Sequence, residues 1–289
     1  MLLLLSAASF FLVLTTKSNV QWSAIRREGG VKGANGGGSP GDYKDGCTVL
    51  LSTFPNSGTT WTQAIFRAAT GLVSESIYVE GPPSQWPGAY VHGPGPTSDE
   101  RFPNQALGEC RFIKSHERMA DEKMPSLYQR AVILYRDPED NLEANLRYLE
   151  KSSNPKVAEA CGDLDFGQWE AADSDGYHTF EEMHYVAHRR FYCHAQRYPV
   201  PRLFVTYSAL LSDPLAGFRE ILTFIGYPEA DLDSALEKNP LTSHSFRGSP
   251  NYVAISDEQC EALDEEFHRI RLSGNECVRA ASDVLQFRA

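Results

Sequence analysis

The chain has 289 residues, 42% hydrophobic, 22% charged and 11% aromatic, a composition that supports a full core and excludes a disordered tail, a collagen-like repeat and a polytopic membrane protein. Lys and Arg number 27 against 38 Asp and Glu, giving a formal charge of −11 with no extended basic run, so no nucleic acid is expected as a partner. One large domain is the expected organisation.

Residues 1–16, MLLLLSAASFFLVLTT, are apolar and uncharged, shorter than the roughly 20 apolar residues of a spanning helix and without a basic start. They predict a signal peptide or a short signal anchor, and with it entry into the secretory pathway. Residues 17–45 follow as a stem, with GGVKGANGGGSPGD from Gly29 to Asp42 as its flexible centre. The folded domain is expected over 46–289, with the N-terminal segment as its one contact with a membrane.

Cys47–Phe54 (CTVLLSTF) is a short apolar run that fits a buried parallel strand, and Pro55–Thr60 breaks it. Trp61–Thr70 has helical period and ends at Gly71. Gly81–Pro103, rich in Pro and Gly and carrying Trp86, Tyr90 and His92, predicts a long surface loop that either shapes a binding pocket or packs down on the domain. Arg111–Ser115, Ala131–Tyr135 and Arg202–Thr206 read as further apolar strands, and Glu139–Lys151, Thr179–Tyr198 and Pro214–Ile225 as helices. Apolar strands alternating with helices predict an α/β fold whose central parallel sheet is flanked by helices.

The six cysteines include no C-x-x-C pair, so a zinc site is not expected. Disulfides and buried free thiols are both open, with Cys260 and Cys277 the first pairing to consider. No N-x-[ST] acceptor for N-glycosylation is present. His178, His184, His188 and His194 share a helical stretch with Arg189 and Arg190 and predict a polar helix face rather than a metal site, because no third ligand stands at a suitable spacing.

Chemistry concentrates in Thr53–Trp61, T-F-P-N-S-G-T-T-W, where a strand turns into a helix. A loop at that junction aims backbone N–H groups and the positive end of a helix dipole at one point, which suits an anion. Gly58 permits close approach, and Ser57, Thr59 and Thr60 add hydroxyls. By itself the stretch reads equally as an ordinary capped helix start. The G-x-x-x-x-G-K-[ST] loop of nucleoside triphosphatases is absent, which disfavours a nucleotide or nucleoside kinase.

The loop resembles the phosphosulfate loop of the sulfotransferase family, Y-P-K-S-G-T-T-W, and four further motifs follow in order. R-F-I-K-S-H at Arg111–His116 is similar to the strand that ends in the family's catalytic histidine; I-L-Y-R-D-P-E-D contains Arg136 where the family has a 3′-phosphate arginine; Tyr207 stands at the nucleotide-contacting tyrosine; and F-R-G-S-P at Phe246–Pro250 resembles a shortened R-K-G loop. The resemblance implies a P-loop-like single domain that transfers a sulfuryl group from 3′-phosphoadenosine-5′-phosphosulfate (PAPS), without a metal, to a hydroxyl of a glycan or small-molecule acceptor. It implies His116 as general base and Lys114 as catalytic cation. Asn56, Ser57, Gly58, Thr59, Thr60, Trp61, Arg136, Asn145, Tyr207, Arg247 and Gly248 are implied at the donor.

Two positions depart from the family pattern: Asn56 replaces the loop lysine, and Ala144 replaces a 3′-phosphate serine for which Asn145 is the neighbouring substitute. These departures keep a non-catalytic nucleotide-binding relative open. F-P-x-x-G-x-T-W, the A-T-G at Ala69–Gly71, I-K-S-H-E and S-F-R-G-S resemble most the WSC-domain-linked carbohydrate (sialate O-) sulfotransferases, although no WSC module precedes the domain. With the apolar N-terminal segment, the expected placement is the secretory pathway, at the Golgi membrane or an equivalent compartment with the domain in the lumen.

Overall fold

The computed structural model describes residues 48–71, 74–76, 89–91, 111–116, 128–152, 154–161, 175–240, 252–273 and 276–285. Six parallel strands form one sheet: β1 (Thr48–Thr53), β2 (Ser74–Ser76), β3 (Ala89–Val91), β4 (Arg111–Ser115), β5 (Arg130–Tyr135) and β6 (Arg202–Thr206), in the spatial order β3-β2-β4-β1-β5-β6. The expected strands appear at their expected places, which gives the α/β architecture with a central parallel sheet. The short strands β2 and β3 were not expected, and β3 lies inside the Gly81–Pro103 stretch that predicts a loop. Their ladders hang on β4, whose Phe112, Ile113 and Lys114 pair with Ser74, Glu75 and Ser76.

Helix α1 (Thr59–Thr70) follows β1. After β5 come α2 (Pro138–Ser152), α3 (Pro155–Cys161) and α4 (Asp175–Ala195); after β6 come α5 (Tyr207–Ser212), α6 (Pro214–Ile225), α7 (Leu232–Lys238), α8 (Asp257–Ser273) and α9 (Glu276–Val284). Local chemistry sets their ends. Asp213 caps α6 by accepting from the Ala216 N–H, with Pro214 beside it, and Gly226 closes the helix at φ 97°. Asp137 accepts from the Glu139 N–H at 3.0 Å where α2 starts.

Both sheet faces are covered, which is why the central strands read as unbroken apolar runs. On one face Val49, Leu51, Val132 and Leu134 pack with Ile65 and Phe66 of α1 and with Phe218, Ile221, Leu222 and Ile225 of α6. Toward α4, Ser52 Oγ and Tyr198 Oη meet at 3.2 Å. Helix α8 packs on α4, fastened by the Cys193–Cys260 disulfide and by Asp264, which accepts from Arg190 and His194. A second disulfide, Cys161–Cys277, ties α3 to α9. These pairings replace the expected Cys260–Cys277 bridge: Cys260 sits on the buried face of α8 against α4, while Cys277 belongs to the next helix and faces α3.

The described residues belong to one compact unit spanning Gly38–Ala289. Residues 1–45, expected to form a targeting segment and a stem, lie outside the described residues, as do Trp86 and His92. Among the described residues no helix is long and apolar enough to cross a membrane.

Candidate active site

Parallel strands deliver all their carboxyl ends to one edge, and the chain order reverses around β1, which lies between β4 and β5. Four of the expected site segments emerge there: the Phe54–Gly58 loop from β1, His116 from β4, Arg136 from β5 and Tyr207 from β6.

The loop is shaped by two left-handed residues, Asn56 at φ 59° and Gly58 at φ 94°. Glycine is required at 58, because a Cβ there would lie 2.6 Å from the Tyr207 ring. Gly58 caps α1, and no side chain accepts from the first turn, so the leading N–H groups of this 12-residue helix keep their donor capacity for an anion. Of the three hydroxyls, Ser57 and Thr59 are buried and hold the loop from within, Ser57 Oγ by accepting from Asn141 at 3.1 Å and Thr59 Oγ1 by meeting Thr53 Oγ1 at 2.7 Å. Thr60 is exposed at the helix start. Trp61 stands beside them, packed edge-on against Phe218 and donating from Nε1 to the Asn239 carbonyl at 3.0 Å.

Arg136 is only 7% exposed. Its Nη1 donates to the Asn56 carbonyl at 2.8 Å, its Nε has no hydrogen-bond partner, and it makes no ion pair among the described residues. Burial lowers its pKa, a sign that the site holds a cation at a desolvation cost. The Tyr207 ring lies beneath the guanidinium, 4.8 Å from ring centroid to Cζ, and fills the space against Gly58.

His116 is half-buried. Its Nδ1 lies 2.8 Å from the Thr53 carbonyl oxygen and 2.9 Å from Thr53 Oγ1. A carbonyl only accepts, so Nδ1 carries the proton and the lone pair of the neutral ring is on Nε2. Burial, and next the Lys114 cation, push its pKa down to about 3 against the pull of the Thr53 bond, so the ring is neutral at physiological pH.

The two departures from the family pattern take an unexpected form. Asn56 donates from Nδ2 to Asn145 Oδ1 at 2.6 Å, and Asn145, fully buried, donates in turn to Asn141 Oδ1 at 2.7 Å. Asn145 therefore braces the loop from behind as a link between Asn56 and Asn141.

Four residues in this network were not expected from the sequence as site residues: Asn141, His184, His188 and Tyr192. His184 and His188 are each 1% exposed, so the polar helix face expected of them is turned inward onto the loop. His184 donates from Nε2 to Asn141 Oδ1 and His188 from Nε2 to the Arg136 carbonyl, each at 2.8 Å. Tyr192 donates to the Leu134 carbonyl at 2.5 Å and meets Ser57 Oγ at 3.4 Å. The 184, 188, 192 spacing was the available signal. Arg247 and Gly248, with the rest of Phe246–Pro250, lie outside the described residues.

The family model of the sulfotransferase domain matches residues 47–275 of this chain. Among solved structures, the chain is similar to mouse sulfotransferase SULT7A1 complexed with PAP, at 13% identity and a TM-score of 0.40 over 82% of this chain and 88% of that one. It is also similar to a sulfotransferase from Alicyclobacillus acidocaldarius, at 11% identity and a TM-score of 0.37 over 84% of this chain and 97% of that one. No curated protein matches the chain in sequence.

Proposed function

The chain belongs to the sulfotransferase family, and from that premise we propose that it transfers a sulfuryl group from PAPS to a hydroxyl of a glycan or small-molecule acceptor. The observation that carries the donor assignment is Arg136: a buried guanidinium with an unpartnered Nε and no contact ion pair among the described residues, with Asp140 and Glu143 acting on it only at longer range, bonded to the backbone of a loop whose N–H groups converge at a helix start. Such a site has donor capacity left over for an anion, and a nucleotide with a 3′-phosphate and a phosphosulfate supplies two anionic groups.

In the reaction the acceptor oxygen attacks sulfur, the bond from sulfur to the phosphate oxygen breaks, and adenosine 3′,5′-bisphosphate leaves with the electron pair. The acceptor proton passes to Nε2 of His116, the ring nitrogen that the Thr53 bond leaves basic. Backbone N–H groups of residues 56–61 and the Lys114 ammonium support charge on the departing phosphate, so Lys114 takes the part that Asn56, bonded to Asn145, does not. Negative charge bound beside Lys114 also offsets the cation that holds the His116 pKa down, which strengthens the base when donor is present. Arg136 and Tyr207 hold the nucleotide, with Arg247 and Gly248 assigned to its 3′-phosphate by the motif alone. The mechanism needs no metal, because protein cations and N–H groups supply the positive charge.

The Cys161–Cys277 and Cys193–Cys260 bridges support an oxidising compartment, in accord with a Golgi-lumen domain behind an N-terminal anchor. The net charge of −11 favours neutral or singly charged acceptors over heavily sulfated glycans. A non-catalytic nucleotide-binding relative is the second reading, favoured by the Asn56 amide being committed to Asn145. Incubation with sulfur-35-labelled PAPS and a panel of neutral and sialylated glycans and small hydroxylated acceptors tests the choice. Label on an acceptor supports the enzyme, whereas tight bisphosphate binding without transfer supports the second reading.

A further inference from the structure

Asn141 has two N–H donors and two acceptor lone pairs, and all four are used. Nδ2 donates to the Pro55 carbonyl at 2.8 Å and to Ser57 Oγ at 3.1 Å, while Oδ1 accepts from Asn145 at 2.7 Å and from His184 at 2.8 Å. A flipped amide would place oxygen against the Pro55 carbonyl, so this orientation is the one the surroundings allow. Because Oδ1 only accepts, His184 carries its proton on Nε2, and its ring is 1% exposed.

The bonds run in one direction and return to the loop. Asn56 donates to Asn145, Asn145 to Asn141, and Asn141 to the residues on either side of Asn56. Three consecutive loop residues are thus gripped by amides of α2, and the central amide is pinned by a histidine of α4. Within the loop Asn56 holds a left-handed conformation, which asparagine tolerates better than most non-glycine residues and which its amide bond to Asn145 holds in place.

We propose that Asn141, oriented by His184, is the positioning residue that fixes the backbone of residues 55–58 as a rigid anion cradle, so that a loop without its lysine binds the phosphosulfate group through pre-aligned N–H groups. The proposal deepens the PAPS reading and rests on it for the identity of the anion. Removing His184 strips Asn141 Oδ1 of a donor inside a buried network, where an incomplete set of bonds is costly. The loop then samples other conformations, and affinity falls by the fraction of time it is aligned.

The test compares His184→Leu with His184→Gln in the full chain. Leucine keeps apolar bulk and removes the donor, and glutamine loses the ring but returns an N–H at a similar reach. Two readouts apply: calorimetric affinity for adenosine 3′,5′-bisphosphate and ligand-free amide hydrogen exchange over residues 54–61. His184→Leu is expected to weaken bisphosphate binding by about tenfold or more and to speed exchange in the loop, with His184→Gln within about threefold of the parent in both. Equal defects in both variants, or a leucine variant that binds and exchanges like the parent, would overturn the proposal. If the leucine variant does not fold, Asn145→Leu cuts the same chain at its other end and carries the same expectation. A parent chain that binds no bisphosphate removes the PAPS reading, and hydrogen exchange still decides whether His184 holds the loop.

Discussion

The Nδ1 atom of His116 lies 2.8 Å from the carbonyl oxygen of Thr53, the last residue of β1. That bond links the end of β4 to the end of β1, and it selects the tautomer with the lone pair on Nε2. His116→Ala is expected to lower kcat by about 10²- to 10⁴-fold with bisphosphate affinity unchanged, because a base acts on the acceptor proton. Thr53→Val, which keeps the carbonyl, should cost far less than His116→Ala. Steady-state kinetics beside calorimetry reads both.

Lys114 sits two residues before His116, and its charge is the second-largest cause holding the imidazole pKa down to about 3. Lowering of a histidine pKa means the neutral ring persists below the usual 6.5, so free-enzyme kcat/KM should show no acid limb from His116 near neutrality. In Lys114→Met the His116 titration, followed by NMR, is expected to move upward, while kcat falls through loss of the cation at the leaving phosphate. An unmoved titration would show that burial alone sets the value.

Gly58→Ala introduces a methyl 2.6 Å from the Tyr207 ring at a residue whose φ is 94°. The backbone conformation alone costs about 1–2 kcal/mol, and displacing Tyr207 disturbs the ring beneath Arg136. Bisphosphate affinity should fall at least about tenfold, with a lowered melting temperature. Tyr207→Ala added to Gly58→Ala relieves the clash and not the dihedral strain, so stability should recover only in part.

The apolar strands were legible because a parallel sheet buried on both faces demands Val, Leu and Ile at every position, as in Leu50 and Leu51 or Ala131 through Leu134. Strands β2 and β3 carried no such signal: Ser74–Ser76 is polar, and its pairing is dictated by β4. The turn between β1 and α1 was legible from residue type, while the specific demand for glycine at 58, the Tyr207 ring 2.6 Å from where a Cβ would stand, was not, because that ring comes from another element. Asn141, His184 and His188 were not, because a polar residue at helical spacing looks the same whether it faces water or a buried partner, and the partner comes from another element. The disulfides were hidden for the same reason: which cysteine meets Cys260 depends on α8 lying across α4.

Burial holds His188 at a pKa of about 3 and His184 well below its ordinary value. Between about pH 6.5 and 3 the unfolded chain therefore binds protons that the folded chain refuses, and stability is fully present above pH 6.5 and lost as pH falls through this window. Each imidazole contributes up to about 1.4 kcal/mol per pH unit to the slope. Urea midpoints at pH 7.5, 6 and 5 should decline progressively, and His188→Gln, which does not titrate, should flatten the decline.

Calorimetric titration with adenosine 3′,5′-bisphosphate in the presence of a chelator, beside Mg²⁺-ATP, tests most directly whether this site binds a sulfuryl donor. The structure predicts metal-independent bisphosphate binding that weakens by about tenfold to hundredfold in Arg136→Ala, where the buried cation is removed, with Mg²⁺-ATP bound poorly. A parent chain that binds Mg²⁺-ATP in preference, or bisphosphate binding indifferent to Arg136→Ala, would contradict it.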